Sequence, residues 1–316
     1  MKRFFSLLLT LALLAGIVSC DREVLSESSA EVSVTSQETS SEVSDTTSTV
    51  EAESSTEPSS SETINTSSYN EDVPFTPIDS VKDYFESKTY SLDTEKTVHY
   101  LFHEPIRETG KDYPLIIFLH GLGDTVNINA LGTASQLVNS LIALENQSEK
   151  YSTYTLIPST PLASEGWWTT EQLSALKSLI GRVAKDYDVD LTRVYIMGIS
   201  MGGMVTCQLL NEVSPYSFAA AVPMSGANNL KNPAELSATA IRIYHVASDS
   251  VVDVSQSRDL YRQLIGAGHQ KAEYIEFEFG SHTSPLHDVF IKDREGFFDW
   301  LFAQKLPTDI FSQFYW

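Results

Sequence analysis

Three residue types at three separated points of this chain have the chemistry for acyl transfer. Gly198-Ile199-Ser200-Met201-Gly202 reads G-x-S-x-G and follows the apolar run Val194-Tyr195-Ile196-Met197. A serine hydroxyl is a poor nucleophile until a base and a fixed geometry activate it. A tight turn from strand to helix pushes the serine oxygen out of the sheet and aims the next amides at the same space. Ser200 is therefore the candidate nucleophile. An acid follows the run Ile241-Arg242-Ile243-Tyr244-His245-Val246, in Ala247-Ser248-Asp249-Ser250-Val251-Val252-Asp253. A carboxylate just past a strand can orient an imidazole and stabilise its charged form. Asp249 is preferred because Val251-Val252 can dock its loop, whereas Asp253 reads as the cap of the next helix. Two histidines follow the next apolar run. His287 opens His287-Asp288-Val289-Phe290 and leads toward Phe297-Phe298-Asp299-Trp300-Leu301; His282 lies in Gly280-Ser281-His282-Thr283. His287 is the expected base and His282 the alternative.

These residues need a scaffold that brings their loops together. Apolar runs predict strands over 97–103, 115–119, 153–157, 194–197, 219–223, 241–246 and 274–279, with a further edge strand near 88–92. Amphipathic stretches over 130–146, 170–187, 202–211, 254–265 and 289–303 predict helices between them. Strands alternating with helices imply an α/β protein, with a mainly parallel sheet of about eight strands covered on both faces. Ligands bind at the carboxyl ends of such strands, where Ser200, Asp249 and both histidines fall. The spacing between the strands at 219–223 and 241–246 leaves no room for a large lid domain.

Residues 97–303 resemble the esterase and predicted-peptidase branch of the α/β-hydrolases. That branch includes polyhydroxybutyrate-depolymerase-like, feruloyl-esterase-like and phospholipase/carboxylesterase-like members. The resemblance rests on Pro114 through Leu119 with His120-Gly121-Leu122-Gly123-Asp124, on Trp168, on Asp190-Leu191-Thr192-Arg193-Val194-Tyr195 and on the Ser200 turn. It also rests on Asp249-Ser250-Val251-Val252, and on His287-Asp288-Val289-Phe290 ahead of Asp299-Trp300-Leu301. The order Ser, Asp, His matches that family. The resemblance implies hydrolysis of carboxylic esters through an acyl-serine. The oxyanion would be held by the amides of Leu122 and Met201, with Gly123 as the alternative to Leu122. One departure concerns the base: the family's histidine usually follows a glycine, whereas Leu286 precedes His287 and Gly280 stands two before His282. His120 reads as a structural histidine supporting its loop, and Trp168 as a wall for the substrate. A serine peptidase of the same fold and a non-catalytic surface binding lipoprotein are the alternative functions.

The termini and charge bound the setting. Lys2 and Arg3 precede an apolar run over 4–18 that ends in Ser19-Cys20. The run is short for a membrane span and has the layout of an export signal. Its end resembles a bacterial lipobox, which implies a lipid on Cys20 and a protein held on the extracytoplasmic face of the cell membrane. Residues 21–72 hold thirteen acidic residues against Arg22 alone and are rich in Ser and Thr. Such a segment buries too little apolar surface to fold, and reads as a disordered tether. The catalytic domain is expected over 73–316. A net charge of −21 argues against nucleic acid as a partner. No metal-ligand spacing of the H-E-x-x-H kind occurs, and no cofactor is implied. With Cys20 acylated, Cys207 has no disulfide partner and reads as a buried apolar residue.

Overall fold

Alternate residues of a strand face opposite sides of a sheet, and strand β3 (Tyr113–Leu119) is buried along its whole length. Leu115, Ile117 and Leu119 enter one apolar cluster, and Ile116 and Phe118 enter another. A strand that is apolar on both faces needs a layer of helices on each. The computed structural model supplies them. It describes residues 81–91, 97–105, 108, 110–124, 126–160, 166–167, 169–213, 215 and 217–308, all within the unit Glu57–Trp316. The expected export signal, the lipidated Cys20, the tether and Trp168 lie outside the described residues.

The strands are β1 (Glu86–Ser91), β2 (Thr97–His103), β3, β4 (Tyr154–Ser159), β5 (Val189–Ile199), β6 (Ala220–Met224), β7 (Ala240–Val246) and β8 (Ala272–Phe277). They form one eight-stranded sheet in the order β1-β2-β4-β3-β5-β6-β7-β8. β2 alone runs against the direction of the other seven strands. The carboxyl ends of β3, β5, β7 and β8 therefore open at one edge of the sheet. This is the expected α/β architecture.

The helices are α1 (Val81–Tyr84), α2 (Ser135–Glu145), α3 (Thr170–Asp186), α4 (Met201–Glu212), α5 (Ser255–Gly266), α6 (Ser284–His287) and α7 (Arg294–Ala303). In α3, Leu173, Leu176, Ile180 and Val183 recur at three- and four-residue spacing and pack with Val205 of α4 and Leu260 of α5 in the first cluster. Burying each such side chain stabilises the fold by about 1.5–3 kcal/mol. Thr169 and Gln172 close the start of α3 as a capping box. The second cluster joins Leu137 and Leu141 of α2 to Phe297, Phe298 and Leu301 of α7. The connection from β6 to β7 holds only a short 3-10 turn, Pro233–Leu236, so no lid domain is inserted there.

Some expected elements differ. The single helix expected over 289–303 is a π-helical turn, Asp288–Lys292, and then α7, with the short α6 just before them. The amide of Asp293 bonds to the carbonyl of Asp288, five residues back, at 3.0 Å. The widened turn lets Phe290 pack on Phe297 and Phe298, with ring centroids 5.4 and 6.1 Å away. The strand expected over 194–197 extends back to Val189, because Tyr113 pairs there across a register shift whose extra residues lie in β5. Among the described residues, no helix is long and apolar enough to cross a membrane.

Candidate active site

Ser200 joins the end of β5 to the start of α4 with φ 57° and ψ −120°. A positive φ at a residue with a side chain costs of order 1–3 kcal/mol and must be held by its surroundings. Here the Ser200 amide donates to the Met224 carbonyl of β6 at 2.8 Å, and the Met204 amide donates to the Ser200 carbonyl at 3.0 Å. The helix can start so tightly only because residue 202 is glycine: a Cβ there would run into the Leu119 carbonyl. Met201, expected as an oxyanion donor, is the first residue of α4, and its side chain is buried. The first amides of a helix have no intrahelical acceptor and favour negative charge.

The loop after β3 meets Ser200 directly. A Cβ on Gly121 would lie 3.7 Å from the Ser200 Cβ. The Asp124 amide closes a turn onto the Gly121 carbonyl at 3.3 Å, and Gly123 within that turn has φ +81°. Leu122 stands at the turn, exposed. Two contacts brace the loop. Asp124 Oδ2 accepts from the Thr133 amide and hydroxyl, each at 2.7 Å. His120 is fully buried; its Nε2 accepts from the Thr160 amide at 3.1 Å, so its Nδ1–H donates to the Gly121 carbonyl at 2.8 Å. Burial holds its pKa below the ordinary value against the pull of that carbonyl and of Asp124. His120 is thus the loop support expected of it. Trp167, beside the undescribed Trp168, is buried with its ring centroid 5.9 Å from that of His120.

The acid loop follows β7. Asp249 Oδ1 accepts from the amides of Val251 at 2.8 Å and Val252 at 3.1 Å, so the carboxylate folds its own loop around itself. Its Oδ2 lies 2.7 Å from His282 Nδ1. The carboxylate is fully buried. Burial alone would raise its pKa; the hydrogen bonds from His282 and the two amides outweigh this and hold it below the usual range. Asp253 instead accepts from the Ser255 amide at 2.8 Å at the start of α5, the capping place expected for it.

The pairing expected for His287 is corrected. His287 ends α6 with its side chain about half exposed, and its nearest acidic partner is Asp288 at 3.9 Å. β8 ends at Phe277, two residues earlier than the sequence suggests, so the chain turns back at Gly280. The Ser248 hydroxyl donates to the Gly280 carbonyl at 3.3 Å, tying the two loops together and setting His282 against Asp249. With Nδ1–H donated to Asp249, His282 Nε2 is left as an acceptor, buried and without a partner among the described residues. The glycine two before His282 was the available signal. Sequence reasoning also missed His245, which lies fully buried beside Asp249; a histidine four residues before the acid was its only mark.

Cys207 is buried, and its thiol is pushed up to about 12 by burial, so it is no competing nucleophile. Among the described residues, no group of three or more His, Cys, Asp or Glu could hold a metal ion.

The arrangement suits acyl transfer, and known proteins align with it. The model of the esterase family matches residues 91–275, a stretch holding Ser200 and Asp249. The chain belongs to this esterase family. The fold is that of the α/β-hydrolases. A thermostable esterase of known structure is 26% identical with a TM-score of 0.61, over 71% of this chain and 64% of that one. A ferulic acid esterase structure shares the fold at 16% identity and a TM-score of 0.53, covering 69% of this chain and 96% of that one. In sequence, the bifunctional acetylxylan esterase/xylanase XynS20E of Neocallimastix patriciarum is 26% identical over 145 residues, 45% of this chain and 20% of that protein. Feruloyl esterase B of Neurospora crassa is 27% identical over 122 residues, 35% of this chain and 38% of that protein. This chain thus spans only a fifth to two fifths of the length of these curated relatives.

Proposed function

We propose that this chain is a serine esterase with Ser200 as nucleophile, His282 as base and Asp249 as orienting acid. One observation carries the reading: His282 is bonded to Asp249 through Nδ1 while its Nε2 is buried and without a partner among the described residues, on the loop after β8, whose carboxyl end opens at the same sheet edge as that of β5, where Ser200 stands at φ 57°. In the reaction, His282 Nε2 takes the Ser200 hydroxyl proton as Oγ bonds to the ester carbonyl carbon. The carbonyl oxygen becomes an oxyanion, held by the amides of Leu122 and Met201, with Gly123 as the alternative to Leu122. The intermediate collapses, and the alcohol leaves with the proton from His282. Water then attacks the acyl-serine, giving its proton to His282; the acid departs and the proton returns to Ser200. Asp249 stays ionised throughout and stabilises the imidazolium.

The substrate class we assign is an ester on plant polysaccharide, carrying acetyl or feruloyl groups. The named activities of the relatives support it. Leu122, Val251 and Phe279 are large apolar side chains each more than half exposed, one on each loop bearing a site residue. They suit an aromatic acyl group and favour feruloyl over acetyl. The enzyme works outside the cytoplasm, held to the membrane by lipid on Cys20. The residues of 1–20 support this part of the reading.

Ser200→Ala in the full chain tests the reading. Hydrolysis of p-nitrophenyl acetate and labelling by a fluorophosphonate probe should both vanish, with the circular dichroism spectrum unchanged; retained hydrolysis would rule out the triad. A panel of methyl ferulate, acetylated xylan and peptide amides then ranks the substrates, and preference for the amides would overturn the ester assignment. Incorporation of a palmitate analogue, lost in Cys20→Ala, tests the lipid.

A further inference from the structure

A second histidine stands behind the acid. His245, near the end of β7, is fully buried. Along β7 it shares the parity of Ile241 and Ile243, which face the cluster holding Leu260 and Leu264 of α5. It therefore meets α5, where its Nδ1 lies 2.7 Å from the hydroxyl of buried Ser257. Its Nε2 lies 3.2 Å from the Val252 carbonyl and 3.2 Å from Asp249 Oδ2.

These partners decide the tautomer. Both oxygens near Nε2 are acceptors, so the neutral ring carries its proton on Nε2. Nδ1 is then an acceptor, and Ser257 donates to it. Burial holds the ring below its ordinary pKa, against the pull of the Val252 carbonyl and Asp249. The charged and titratable groups around it are Asp249 and Asp253 on its own loop, His282 on the loop after β8, and Glu276 opposite it on β8. Glu276 is paired with Arg258 of α5 at 2.6 Å.

The result is a convergence on one atom. Asp249 Oδ2 faces both His282 Nδ1 and His245 Nε2, while Oδ1 holds two amides. Resting on the triad proposed above, we infer that His245, its tautomer set by Ser257, is a positioning residue that fixes the Asp249 carboxylate and limits its basicity toward His282. The His245 N–H, which donates to the Val252 carbonyl and lies 3.2 Å from Oδ2, has two effects. Rotation of the carboxylate away from His282 would also break its 3.2 Å contact with His245. And a carboxylate that also faces the His245 N–H has less charge to offer the His282 imidazolium.

The test is the pH profile of kcat/KM on p-nitrophenyl acetate, whose acid limb reports the base of the free enzyme. In His245→Phe the acid limb should move up by about half a pH unit, and kcat should fall by about tenfold with KM little changed. His245→Gln, which restores an N–H toward Asp249, should bring the limb back. Ser257→Ala frees the tautomer and should move the limb the same way by less; it also serves where His245→Phe fails to fold. An unmoved limb in His245→Phe and Ser257→Ala, beside an inactive Ser200→Ala, overturns the role of His245 alone. Activity surviving in Ser200→Ala overturns the triad and this role with it.

Discussion

His282 and Asp249, thirty-three residues apart, meet through Nδ1 and Oδ2 at 2.7 Å, whereas His287, five residues beyond, has no contact with that carboxylate. The pairing makes a prediction that separates the two histidines. His282→Asn should lower kcat about 10³-fold or more, because proton transfer to and from the reacting oxygen is lost. His287→Asn should hydrolyse p-nitrophenyl acetate within about twofold of the native rate, as expected of an exposed side chain away from the chemistry. Steady-state kinetics on the two variants decide between them, and the reverse result would return the base to His287.

Asp249 and Asp253 are separated by the same logic. Asp249→Asn keeps the size but removes the charge, and its amide can donate toward His282, favouring the wrong tautomer. A loss of about 10³–10⁴ in kcat at pH 7 is expected. Asp253→Asn leaves an acceptor for the Ser255 amide and should change activity by no more than about twofold. Equal losses in both would show that the acid loop as a whole, and not the Asp249 carboxylate, is what matters.

Much of this arrangement was legible because it repeats a local pattern. The all-apolar run of β3 announces a strand covered on both faces, and G-x-S-x-G at the end of β5 announces the turn. The base is less legible because two histidines follow β8, and the aromatic run past His287 favours that one. What decides the matter is long-range: Ser248 on one loop bonds Gly280 on another, and β8 ends at Phe277. Neither event leaves a periodic mark. The π-helical turn at Asp288–Lys292 was hidden for the same reason, since ring packing between Phe290 and α7 overrides the helical repeat. In sequence His245 is one more strand residue; only the fold brings Ser257 and Asp249 to its two ring nitrogens.

The buried histidines make stability depend on pH. His120, His245 and His269 all have pKa values lowered first by burial. The unfolded chain titrates near the ordinary value of about 6.5. Above that pH both states are neutral, and the contribution of these rings is fully present. As pH falls through 6.5 toward the lower folded values, the unfolded chain binds protons first and stability is lost. Carboxylates such as Asp190 and Glu212, held low chiefly by their hydrogen-bonding partners, lose their contribution only at more acidic pH. Urea midpoints should therefore fall steadily from pH 7 to pH 5. His269→Gln can keep a donor toward the Leu236 carbonyl, which His269 Nε2 meets at 2.9 Å, and should flatten the slope by about one proton. A flat profile over that window would contradict the burial of neutral rings.

Two glycines beside the site are required for different reasons, and alanine separates them. At Gly202 the added Cβ would strike the Leu119 carbonyl, a backbone atom held in the centre of the sheet. Neither partner can yield, because β3 is paired on both sides, by β4 and β5. Gly202→Ala should cost at least about 3 kcal/mol and move the Ser200 turn, so that activity is lost with stability. At Gly123 the added Cβ would meet nothing within 4 Å, but φ is +81°. The cost there is conformational alone, about 1 kcal/mol. Chemical denaturation should find Gly123→Ala folded with a modestly lower midpoint and Gly202→Ala poorly folded. Activity then asks a second question of Gly123→Ala. If the turn keeps its shape, hydrolysis should persist near the native rate. If alanine rotates the turn, the Leu122 amide leaves the oxyanion site proposed for it and kcat should fall about 100-fold with KM unchanged, a loss that heat or urea stability would not register.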